Sequence, residues 1–198
     1  MRAWRWKSEG YKVDFYFPLA LNYSFVVLVF IELETKLMEL CGLLRDLRHS
    51  SFSVKDITGR GVEKYALYIE RVGGIKRSEL KYWEQIAALQ QIRNCIVHTA
   101  GFIAQARDSV NLREMVMHER FFVPDRRSHA VASRLNEPPR DPGVSIIQFN
   151  GMERLIVKME YPHTVSFYVR HFLLDLVEKI EVPPSSSSKA RKKKLSTY

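Results

Sequence analysis

The sequence predicts a mostly helical bundle of four or five helices, with one small β-hairpin ahead of the last helix. Apolar residues recur at intervals of three and four along several separate stretches. Asn150-Gly151 lies between two β-prone runs, and the stretches are separated by segments rich in glycine, serine or proline. With 198 residues, 46% apolar and 27% charged, the chain suffices for one domain with a proper core. The domain is expected over 20–182, between an N-terminal extension (1–19) and a basic tail (183–198) expected to be disordered.

The first helix is expected from Leu21 to about Leu47, with a stripe of Phe25, Leu28, Val29, Leu33, Leu37, Leu40, Leu44 and Leu47. A loop over 49–61 follows, then a helix over Val62–Arg71 stopped by Gly73-Gly74. Ser78 with Glu79 marks a plausible start for the third helix. Its stripe is Trp83, Ile86, Leu89, Ile92 or Arg93, and Ile96, and Gly101 lies just past its end. A fourth helix is expected from Ala104 to about Glu119, resting on Val110, Met115 and Val116. The stretch 122–143 holds four prolines and reads as a long loop. The hairpin occupies Val144 to Met159, turning at Asn150-Gly151. The last helix should start near Thr164 and present Val165, Phe172, Leu173, Leu176, Val177 and Ile180.

Two cysteines, Cys41 and Cys95, each in an apolar helical pattern, argue for a reducing compartment and against a disulfide scaffold. No secretory signal is apparent, and the uninterrupted apolar run Phe25–Ile31 is far shorter than the ~20 residues of a membrane span. A cytosolic protein without a membrane partner is the expectation. The net charge of +9 is concentrated at the ends: +5 in 183–198 and +3 in 1–12, leaving about +1 for the body. Such ends favour any polyanion without conferring specificity, and they serve equally as solubilising segments. The six histidines form no metal-binding pair such as HExxH, and no carboxylates cluster at ligand spacing, so neither a metal nor another cofactor is expected.

What remains is Gln90-Gln91-Ile92-Arg93-Asn94-Cys95-Ile96-Val97-His98 near the end of the third helix. Two readings stay open. His98 suits the negative end of the helix dipole and Arg93 suits a structural ion pair. Alternatively the three polar residues are a site. Asn94 and His98 share a helix face, whereas Arg93 and His98 stand about 140° apart around the axis. Arg93 and His98 on one helix therefore do not make a self-contained site. A joint site needs either the long Arg93 side chain to reach around the helix or a second copy to bring its own pair near. A two-fold axis does the latter without extra machinery, so a catalytic motif here asks for a homodimer with a composite cleft. Cys95 is a core residue by pattern rather than a nucleophile.

The segment resembles the HEPN superfamily (higher eukaryotes and prokaryotes nucleotide-binding), whose signature is an arginine, four to six residues, then a histidine, often with asparagine after the arginine. Arg93, Asn94 and His98 match that spacing, on the third helix of a helical domain, with the likeness sharpest over 86–101. The resemblance implies a HEPN-like bundle and a metal-independent endoribonuclease acting as a dimer, a toxin or antiviral effector, with an antitoxin or sensor as a further partner. It implies His98 as acid and base at the RNA 2′-hydroxyl or 5′-oxygen, Arg93 as phosphate clamp and Asn94 as orienting amide. Those side-chain types suit those tasks, since imidazole titrates near neutrality and guanidinium matches phosphate geometry. Arg126 and Arg127 are candidates for substrate contacts, and Glu32 or Glu34 for a supporting acid, although a solvated helix edge accounts for both carboxylates. Where toxins of this superfamily often carry a tyrosine two residues after the histidine, this chain has Ala100, which counts against control by an antitoxin that modifies that tyrosine. A catalytically silent module binding RNA, a nucleotide or a protein is the alternative.

Overall fold

The computed structural model describes residues 9–10, 12–117 and 143–181. Five α-helices and a two-stranded sheet account for most of them: α1 (Phe17–Leu47), α2 (Gly61–Tyr68), α3 (Trp83–Thr99), α4 (Ser109–Met117), β1 (Val144–Phe149), β2 (Met152–Val157) and α5 (Glu160–Glu181). The protein is mainly helical with the hairpin immediately before the last helix, as the periodicity and Asn150-Gly151 predict.

Helix α1 is the spine. A π-helical turn over Lys12–Tyr16 leads into it without a break, and Pro18 stands in the first α-turn after it. The helix thus starts a turn earlier than expected. Its inner face is Leu19, Val26, Phe30, Leu33, Leu37, Cys41 and Leu44, all buried against α2, α3, α5 and β2. This corrects the expected stripe. Leu33, Leu37 and Leu44 are core residues, but Phe25, Leu28 and Leu47 face outward. The N-terminal third of α1 carries apolar residues on both its buried side (Leu19, Val26) and its exposed side (Phe17, Leu21, Phe25), so periodicity alone could not choose the buried side.

The connection to α2 is organised by a reciprocal cap. Lys55 N donates to Ser53 Oγ (3.1 Å) and Ser53 N donates to Asp56 Oδ2 (2.7 Å). Helix α2 continues as a π-helical turn over Ile69–Gly73 and ends at Gly74 (φ 70°), where the paired glycines predict a stop. Helix α3 begins at Trp83, not at Ser78, which belongs to a 3-10 turn over Arg77–Glu79. The reason is tertiary: Lys81 N donates to Asp175 of α5 (3.1 Å), and Tyr82 takes a left-handed conformation (φ 59°) to lay its ring against Phe167 and Tyr168.

Helix α4 is shorter than expected, beginning at Ser109 after a 3-10 turn over Ile103–Gln105. Its core contacts are Leu112, Met115 and Val116, while Val110 is exposed. The far end expected at Glu119, the loop prolines, Arg126, Arg127 and the tail lie outside the described residues. The hairpin register pairs Val144 with Val157 and Phe149 with Met152, around Asn150 (φ 50°) and Gly151 (φ 76°), the two left-handed residues a tight hairpin needs. Helix α5 starts at Glu160 rather than Thr164, because Pro162 falls in the first turn, where a missing N–H costs nothing.

Candidate functional site

The C-terminal half of α3 carries all three residues of the motif, and the hairpin holds that end in place. Gly101 N donates to Cys95 O (3.2 Å), closing the helix, and Leu155 N of β2 donates to Gly101 O (2.8 Å). Gly101 has φ +86°, and a Cβ there would fall inside the hydroxyl of Tyr23. Tyr23, on α1, donates that hydroxyl to Leu155 O, while Asn22 Nδ2 donates to Val157 O (2.9 Å). Helix α1, the end of α3 and β2 therefore form one pinned corner. Burial pushes the Tyr23 phenol up to about 12, against the lowering influence of Arg154. Arg154 itself is buried, its guanidinium 5.1 Å from the Phe102 ring centroid, 5.6 Å from that of Tyr16 and 5.7 Å from that of Phe149.

Arg93 is half-buried on the flank of α3 that meets α1. Its guanidinium lies over the Phe30 ring, 5.3 Å from the centroid, and its Nη1 donates to Asn94 Oδ1 (3.0 Å). Its Nε is buried without a hydrogen-bond partner. Glu34 of α1 is the nearby carboxylate. Burial raises its pKa, with Arg93 opposing the rise, yet the two do not close into an ion pair. The ion-pair reading of Arg93 thus fails for the described residues. The guanidinium is held by stacking and one amide, and its charge is left without a bonded anion. Glu32, the other carboxylate considered from the sequence, is exposed.

His98 is exposed and forms no hydrogen bond with any described residue, and no described bond joins it to Arg93 or Asn94. The structure thus bonds Arg93 to Asn94, and no described bond joins His98 to either, although Asn94 and His98 share a helix face. Cys95 is buried; burial raises its thiol pKa, and the Thr99 hydroxyl sits 3.5 Å from its sulfur. That is a core thiol, not a reactive one. Of the neighbouring glutamines, Gln90 accepts from Val62 N (2.7 Å) and fixes the start of α2 on α3, whereas Gln91 Oε1 is buried without a partner.

Sequence reasoning named Glu34 as a candidate acid but missed Phe30 as the ring beneath Arg93, because its approach depends on how α1 rolls against α3. It also missed a second stripe on α1. Phe17, Leu21, Leu28, Ile31 and Met38 are between 47% and 61% exposed. They lie on the face opposite the core. By length and composition alone Lys12–Leu47 could cross a membrane; 28% of its most apolar window is buried within the domain.

No protein-family model matches the chain, and neither does any curated protein or solved structure.

Proposed function

We propose that the protein is a metal-independent endoribonuclease acting as a cytosolic homodimer, in which Arg93, Asn94 and His98 line a cleft shared between two copies. The observation that carries this reading is Arg93. It is a half-buried guanidinium, positioned by a ring and an amide, that closes no ion pair with any described carboxylate, although Glu34 lies near enough to feel its charge. A phosphodiester supplies the missing anion, and the planar guanidinium suits its oxygens. Its orientation is fixed in advance, which is what transition-state stabilisation asks of a cation.

In this reading the RNA 2′-oxygen attacks the adjacent phosphorus, and its proton passes to an imidazole. The P–O5′ bond breaks, and the 5′-oxygen leaves with a proton delivered by an imidazole. The products are a 2′,3′-cyclic phosphate and a 5′-hydroxyl, with no change of oxidation state. His98 is exposed, and no described residue bonds its ring nitrogens, which leaves the imidazole accessible to a substrate. Asn94 holds Arg93 in place. The role as a toxin or antiviral effector, with an antitoxin or sensor as partner, rests on the HEPN resemblance of these three residues.

A binding-only module is the second reading, favoured by the same bareness of His98, since no described side chain orients its imidazole. Single-stranded RNA incubated with the protein in excess EDTA separates the two. Cleavage that leaves cyclic phosphate ends and is lost in both His98→Ala and Arg93→Ala supports the ribonuclease. RNA binding without cleavage, unaltered by His98→Ala, supports the module.

A further inference from the structure

We infer that Arg154 and the rings of Tyr16, Phe102 and Phe149 form a subsite for one unpaired nucleotide of single-stranded RNA, beside the end of α3 that carries His98. RNA as the ligand rests on the ribonuclease reading above; the subsite rests on the chemistry of this corner.

Arg154 stands on β2 and is 9% exposed, so its guanidinium is almost wholly withdrawn from water. Its Nε is buried without a hydrogen-bond partner, and no carboxylate among the described residues pairs with it. Glu153, its neighbour in the chain, is engaged by Arg113 instead (3.0 Å). The Tyr23 hydroxyl beside it is neutral and already donates to Leu155 O. Three rings lie around the cation at 5.1, 5.6 and 5.7 Å from their centroids. Their negative faces attract it but carry no net charge, so the corner keeps a positive charge that no described acid cancels. A phosphate oxygen supplies both the charge and the acceptor.

The surrounding aromatic surface selects among anions. Phe15 and Tyr16 end the π-helical turn over Lys12–Tyr16, and both reach Phe149 across the corner. Phe15 stacks on it (6.2 Å between centroids, 9° between planes), while Tyr16 meets it edge-on (6.0 Å, 88°). Phe15, Tyr16, Phe102 and Phe149 are each only partly buried, so ring surface stays open to solvent around the cation. Single-stranded RNA is held by that combination, its bases stacked on aromatic rings and guanidinium planes and its backbone drawn by cations. An acidic peptide matches the charge but leaves the rings unused.

Backbone bonds tie the corner to the motif. Phe102 N donates to Thr99 O (3.0 Å), Gly101 N to Cys95 O (3.2 Å) and Leu155 N to Gly101 O (2.8 Å). Phe102 also pairs with Arg154 in an isolated antiparallel bridge. Phe102 lies four residues beyond His98, so their Cα atoms are at most about 14 Å apart. A strand with one nucleotide on the rings can therefore continue to the last turn of α3.

The experiment measures binding of the full chain to a short 2′-O-methyl RNA of mixed sequence over a range of salt. That RNA lacks the attacking hydroxyl and stays intact. Arg154→Met is expected to reduce the slope of log Kd against log salt by about 0.7, the value of one backbone contact on a single strand. Phe149→Leu is expected to weaken binding about 10-fold while leaving that slope unchanged. An Arg154→Met protein that loses Tm but keeps the slope overturns the subsite, and so does a strand without bases that binds the wild type as tightly as RNA. Should Arg154→Met misfold by circular dichroism, photo-crosslinking of the wild type to iodouridine-substituted RNA decides. Adducts on Tyr16, Phe102 or Phe149 support the subsite, and adducts only elsewhere overturn it. Cleavage of unmodified RNA by the same preparations keeps the two readings apart. Binding that depends on Arg154 without any cleavage retains the subsite and removes the ribonuclease. Cleavage with a KM unmoved by Arg154→Met does the reverse.

Discussion

Replacing Arg93 with alanine should cost a great deal of activity and little stability. Within the fold the guanidinium contributes a stacking contact on Phe30 at 5.3 Å and one hydrogen bond to Asn94 at 3.0 Å. Those are worth about 0.5–1 kcal/mol and about 1 kcal/mol at a half-buried position. Against them stands a buried Nε with no partner, whose removal recovers about 1 kcal/mol or more of unmet hydrogen bonding. The net loss is about 1 kcal/mol, a fall in Tm of roughly 2–4 °C for a chain of this size. A cation that stabilises charge in the transition state is worth more, about 10²–10³ in rate when removed. Arg93→Lys keeps the charge and loses the planar fork, so it should fall between wild type and alanine. Thermal melts and single-turnover RNA cleavage on the same preparations measure both quantities. A fall in Tm above about 10 °C would make Arg93 a structural residue, and unchanged cleavage in Arg93→Ala would refute its role as a phosphate clamp.

Asp175 ties α5 to the start of α3. It is buried, paired with Lys179 at 2.5 Å and Lys81 at 3.6 Å, and it accepts from Lys81 N. Burial alone would raise its pKa, but the Lys179 hydrogen bond, the Lys81 backbone bond and the two positive charges outweigh that and hold it below the ordinary aspartate value. Its stabilisation is therefore present above the unfolded pKa of about 4 and is lost as pH falls through the lower folded value. Asp175→Asn should cost about 2 kcal/mol near neutrality, discounted from the fully buried case because both lysines retain solvent contact. The Tm gap to wild type should narrow as pH falls below the ordinary aspartate range, and a gap that stays constant with acidification would contradict the assignment. At the pinned corner, Gly101→Ala meets both a left-handed backbone and the Tyr23 hydroxyl. A loss of about 2–4 kcal/mol is expected, with Tm as the measure, and a neutral substitution would show that the corner relaxes freely.

Much of the fold was legible because local signals and tertiary needs agree. Asn150-Gly151 set the hairpin, Gly73-Gly74 ended α2, and Gly101 closed α3, since each position demands a backbone conformation that few residues tolerate. Boundaries were misread where a distant group overrode local preference. Ser78 looked like a helix start, yet Asp175 of α5 and the ring of Tyr82 moved it to Trp83. The candidate site was legible as residues and spacing, including the divergence of Arg93 from His98, which follows from helical geometry alone.

Amino-acid order alone therefore determined which residues stand on α3 and that Arg93 and His98 cannot meet across one helix. Only the tertiary structure decided which side of α1 is core, because a helix with apolar residues on two faces gives no preferred one until its neighbours bury it. That choice brought Phe30 and Glu34 to Arg93, and among the described residues it left Phe17, Leu21, Leu28, Ile31 and Met38 exposed on the opposite face.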